Sequence, residues 1–206
     1  MVGAMRSLMV VPVMVACGSP ASPQAPVAAA APAVAAQPWA IPAGFKSETI
    51  PFPLDFAPGV VHEGAEELRF SPGFFDPAAP GYWSYAFVWR TRDAATMDAA
   101  AVGGELTAYF RGLIDAVDSQ HAITDRDAIA VRAREDHGRL ALTAHVFDAF
   151  KTHQPLDLVG WAARVPCSHG AVWRFVLAPA GSGLRPQLDA LAAGALCDQP
   201  VPPPRA

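Results

Sequence analysis

From Tyr82 to Thr91 the chain alternates without a break, with Trp83, Tyr85, Phe87 and Trp89 on one side and Ala86 and Val88 on the other. A period of two is the signature of an extended strand, and the residues on both sides are apolar, so this strand belongs in the middle of a sheet. Whatever folds here must then supply a second layer that covers four large aromatic rings.

The rest of the pattern supplies that layer. After Thr96, which is placed to cap a helix, the residues Met97, Val102, Leu106, Tyr109, Phe110, Leu113, Ile114 and Val117 form one helical stripe. Gly103-Gly104 inside it costs about 1 kcal/mol per residue relative to Ala. A close approach to the sheet must recover that, or the helix breaks there. Ile50, Phe52, Leu54 and Phe56 alternate with polar residues and prolines. Pro51 and Pro53 cannot donate to a ladder, which makes this an edge strand or an arm across the domain. Glu66–Phe70 is a second short strand.

Asp127–Glu135 and Arg139–Phe147 flank Asp136-His137-Gly138, and Leu156–Val165 and Ala171–Leu177 flank Cys167-Ser168-His169-Gly170. Both read as hairpins. A final helix over Ser182–Leu196 presents Leu184, Leu188, Leu191 and Ala195 on one face. The expected fold is α+β: an antiparallel meander of about five to seven strands packed against a central long helix and a C-terminal helix.

The chain has 206 residues, of which 52% are hydrophobic and 17% charged. The average soluble domain is roughly 25% charged, so the composition runs opposite to that of a disordered chain. No apolar run approaches the roughly 20 residues that span a bilayer, which excludes a polytopic membrane protein. Fifteen basic and 19 acidic residues give a net charge of −4. The basic ones are scattered, so no nucleic acid is expected as a partner. All cations except Lys46 and Lys151 are Arg, and Asn is absent; this is a coding bias, and Ala- or Pro-rich stretches are discounted accordingly.

Arg6 is followed by a short apolar run, Leu8–Val15, ending in Ala16-Cys17. This is the layout of a secretory signal peptide. Met14-Val15-Ala16-Cys17 resembles the lipobox of bacterial lipoproteins. The resemblance implies cleavage before Cys17, acylation of its sulfur, and a membrane partner reached through the N-terminal lipid. Gly18 after the cysteine resembles the outer-membrane destination, facing the periplasm. Ordinary secretion with Cys17 incidental is the plainer alternative. The domain organisation expected is a signal peptide (1–16), an Ala/Pro-rich tether (17–43), one α+β domain (44–198) and a Pro-rich tail (199–206). The domain is large enough to bury roughly 70% of its unfolded surface.

With Cys17 acylated, Cys167 and Cys197 remain as an even pair in an oxidising compartment, and a disulfide follows. The rivals are a nucleophilic thiol beside His169 or a metal site. His145, Asp148, His153 and Asp157 flank one connection of the meander and could hold zinc if the loop 147–155 folds back, although no HExxH or CxxC spacing supports it; a solvated polar loop is the blander reading. His62 with Glu63, Glu66 and Glu67 reads as an acidic surface turn. Trp83, Tyr85, Phe87 and Trp89 either line a ligand cleft or fill the core under the long helix.

These readings converge on a lipid-anchored envelope protein whose domain binds a partner or small ligand without catalysis and without a cofactor. A metal-assisted hydrolase using zinc, and a purely structural or assembly lipoprotein, are the alternatives.

Overall fold

The computed structural model describes residues 37–93, 96–118, 122–123 and 125–202. Cys17, the signal segment and the tether up to residue 36 lie outside the described residues, as do residues 203–206 of the tail.

Among the described residues, seven strands form one antiparallel sheet: β1 (Lys46–Pro51), β2 (Gly64–Phe70), β3 (Tyr85–Thr91), β4 (Ala130–Asp136), β5 (Arg139–Phe147), β6 (Pro155–Pro166) and β7 (Ala171–Pro179), in the spatial order β1-β2-β3-β7-β6-β5-β4. Two meanders therefore meet at the β3–β7 pair. The helix α1 (Ala99–Val117) connects them and packs on one face, while α2 (Arg185–Ala193) packs on the other. The architecture is the α+β sandwich that the alternation and the helical stripe imply. Among the described residues no helix is long and apolar enough to cross a membrane.

The aromatic strand is shorter than the alternation suggests. Strand β3 begins at Tyr85, because Trp83 has a left-handed backbone (φ 46°) and sits in the preceding turn. Its α1-facing side stacks as a column: the Phe87 and Phe175 rings lie 4.5 Å apart, and Tyr109 of α1 stacks over Phe87 at 6.2 Å. The helix starts at Asp98 rather than Thr96, since the Asp98 carboxylate accepts from the Ala101 N–H and caps it. It runs unbroken through both glycines. A Cβ on Gly103 would lie 3.0 Å from the Val131 carbonyl, so the absent side chain lets α1 sit directly on β4. At the first hairpin, His137 and Gly138 both have positive φ (48° and 79°), which a two-residue turn matched to strand twist demands.

Packed residues extend beyond both ends of the segment 44–198. Trp39, expected in the tether, is 1% exposed, and its indole N–H donates to the Leu191 carbonyl at 2.8 Å. The Arg69 guanidinium lies 4.2 Å from its ring and donates to the carbonyls of Trp39 and Ala40. A single aromatic ring buried on the α2 face thus extends the packed region back past residue 44. At the other end Gln199, expected in the tail, accepts from Arg90 and the Leu196 N–H and donates to Gly194. Cys167 and Cys197 are joined as a disulfide, tying the β6–β7 turn to the segment after α2.

Candidate functional site

The aromatic stripe does not line an open cleft. Trp83, Tyr85, Phe87 and Trp89 are 2%, 3%, 0% and 0% exposed, because α1 and the Phe52–Leu54 segment cover that face. A groove of about 770 Å³ does open beside it, between the edge strand β1 and the C-terminal half of α1. Only Trp83 and Tyr85 of the four reach its floor. Its walls come from Phe70, Phe74, Phe75 and Phe150 at one end, the last three of which belong to no periodic run, and from Phe56 and Tyr109 toward α1.

Each wall has a local cause. Strand β2 puts Leu68 and Phe70 on the α1 side, opposite Phe87 and Tyr85 of β3. The turn after β2 folds back through the Ser71 hydroxyl, which donates to the Gly81 carbonyl at 2.7 Å, and this carries Phe74 and Phe75 over the strand ends. Phe75 packs edge-on against Phe74 (4.8 Å) and Phe150 (5.3 Å), yet stays 36% exposed at the lip. Leu113 and Val117 of α1 complete the inner wall. The volume lies within the roughly 300–1,000 Å³ of pockets that take small ligands.

Polar groups sit at the mouth and behind the wall. Lys46, Glu48 and Asp55 are exposed at the rim. Behind it, Glu66 is fully buried: it accepts from the Trp89 indole N–H at 3.0 Å and from the Tyr109 hydroxyl at 3.4 Å. Burial pushes its carboxyl up to about 8, against these two donors, and the charge of Glu48 adds to the rise. Glu66 is therefore mostly protonated at neutral pH. Next to it, the His62 ring lies 5.6 Å from that of Trp89 and its two nitrogens face Asp93 (3.1 Å) and Glu105 (2.9 Å). Burial lowers its pKa, but Glu105 and Asp93 outweigh this and hold it above the ordinary histidine value.

The acidic turn expected at residues 62–67 is thus a correction. Glu63 is exposed, but Glu66 and Glu67 are 0% exposed on opposite faces of β2, and Glu67 is held by Arg90 (2.6 Å) and Arg69 (3.0 Å). The sequence signal was present in Arg69 and Arg90, cations that lie inside strand segments rather than in turns.

The four residues considered for zinc are not brought together, and among the described residues no three His, Cys, Asp or Glu converge as a metal site. His145 and Asp157 are cross-strand neighbours on β5 and β6, 2.6 Å apart and both exposed. Asp148 is buried and occupied as a loop cap, accepting from the N–H groups of Phe150, Lys151 and Thr152 and from the hydroxyls of Thr152 and Tyr82. Burial raises its pKa, but the donors prevail and hold it below the ordinary aspartate value. His153 donates its backbone N–H to the Asp148 carbonyl. The loop folds back as supposed, but onto Asp148, leaving that carboxylate no capacity for a metal.

No protein-family model, curated protein or solved structure matches this chain. The functional reading therefore rests on the groove and its chemistry.

Proposed function

We propose that this chain is a lipid-anchored cell-envelope protein, held by acylated Cys17, whose domain binds an apolar ligand in the groove between β1 and α1 and performs no chemistry on it. The observation that carries the reading is the groove itself: a ligand-sized hollow walled by aromatic and aliphatic side chains, opening onto solvent beside a packed core. Export is supported by the Cys167–Cys197 disulfide, since such bonds persist in oxidising compartments. Anchoring rests on Met14-Val15-Ala16-Cys17 alone.

The test is a titration of the full chain, carrying Cys17→Ser to prevent acylation, with the fluorescent apolar probe 8-anilinonaphthalene-1-sulfonate. Saturable one-to-one binding, lost in Val117→Arg with an unchanged circular dichroism spectrum, is expected. Absence of saturation, or binding indifferent to Val117→Arg, contradicts the reading. For the anchor, mass spectrometry of the membrane-extracted protein should find an acylated N-terminal Cys17, and an unmodified Met1 chain would overturn it.

A further inference from the structure

We infer that the groove's ligand is a short apolar peptide with free termini, extended antiparallel to β1; this rests on the reading of the groove as the binding site. All six residues of β1 line the groove, although consecutive strand residues point to opposite faces. A hollow touching both sets follows the whole strand and reaches its backbone as well as its α1-facing side chains. One edge of β1 faces outward, since among the described residues β1 is the terminal strand of the sheet.

The pairing with β2 fixes what the edge offers. The Phe52 N–H donates to the Gly64 carbonyl at 3.0 Å, and Pro51 lies opposite Ala65. Antiparallel pairs alternate between bonded and non-bonded, so Ile50 and Glu48 bond to β2, while the N–H and C=O of Thr49 point away from it. Pro51 falls in the same outward set, where its missing N–H breaks no ladder bond. An added strand can therefore pair at Thr49 while its alternate side chains enter the aromatic groove.

Strand β1 sets the length and the rim charges set the direction. Lys46 stands at the N-terminal end of β1, and among the described residues no carboxylate forms an ion pair with it. Asp55 lines the groove past the C-terminal end of β1 and is likewise unpaired there. Lys46 and Pro51 are about 17 Å apart along the strand, the span of a peptide of about five residues. A carboxylate at Lys46 and an ammonium at Asp55 orient that peptide against β1. Glu48, midway, disfavours acidic side chains.

The experiment is displacement of 8-anilinonaphthalene-1-sulfonate from the full chain carrying Cys17→Ser, using the pentapeptide Phe-Ser-Leu-Ser-Phe with free termini. Displacement is expected, weakened about three- to fivefold by C-terminal amidation, as for an exposed ion pair. Lys46→Gln should bind acid and amide forms alike, and Asp55→Asn should do the same for the free and acetylated amine. Thr49→Pro, which removes the outward N–H and leaves the β1–β2 bonds in place, should weaken the peptide but not the probe. A probe that binds but is displaced by palmitate and not by the peptide overturns the inference while leaving the groove a binding site; so does equal affinity for acid and amide. A probe that does not bind at all removes the groove reading and this inference with it.

Discussion

The indole N–H of Trp89 donates to a carboxyl oxygen of Glu66 directly across the β2–β3 pair, at 3.0 Å and shut off from solvent. The acid it engages lies behind the groove's wall, where burial raises its pKa to about 8.

A carboxyl raised from 4.5 to about 8 binds more protons folded than unfolded across that interval. Its stabilising contribution is full below about pH 4.5 and is lost as pH rises through 8. Urea unfolding at pH 5, 7 and 9 should show Glu66→Gln gaining on the native chain as pH increases, because the amide keeps an acceptor for Trp89 and never ionises. A stability difference independent of pH would contradict this.

His62 titrates in the same direction for another reason. Its imidazolium is held between Glu105 and Asp93, so its contribution is complete below pH 6.5 and disappears as pH rises through the higher folded value. Proton NMR of the imidazole should give a midpoint above that of free histidine. Glu105→Gln should bring it down, and a midpoint unmoved by that change would rule out the pairing as its cause.

The α1 glycines separate by what lies against them. Nothing comes within 4 Å of a Cβ on Gly104, so Gly104→Ala should stabilise the domain by about 0.5–1 kcal/mol. A Cβ on Gly112 would fall 2.0 Å from the Phe56 carbonyl, so Gly112→Ala should cost about 1–3 kcal/mol or prevent folding. Because Phe56 also lines the groove, the second change should weaken probe binding too. Thermal unfolding ranks the two variants, and equal effects would refute the packing.

The Cys167–Cys197 bond joins residues 30 positions apart in sequence. Replacing both with Ser should lower stability by about 3.5 kcal/mol in the chain-entropy view. Denaturant unfolding of the native and doubly substituted chains measures it, and no change would mean that the link constrains nothing.

Much of this architecture is written in local pattern. The alternation at Tyr85–Trp89 and the stripe Val102–Val117 name the two surfaces that meet in the core, and the turn at His137-Gly138 marks its hairpin. The misplaced features depend on partners distant in sequence. Trp39 is a lone ring in an uncharged Ala/Pro run, and its burial depends on Leu191 and Arg69. Glu66 and Glu67 read as solvent-facing until Trp89 and Arg90 are set beside them on β3. The groove was the least legible, since Phe74, Phe75 and Phe150 sit in turns, where no period distinguishes a wall from a loop.

Methyl NMR of the full chain carrying Cys17→Ser, titrated with the pentapeptide, maps where on the fold the peptide binds. Shifts should concentrate at Ile50, Leu68, Leu113 and Val117, which line the groove, and spare Val172 and Val176 on the α2 face. Shifts confined to the α2 face, or none at saturating peptide and probe, would contradict the account.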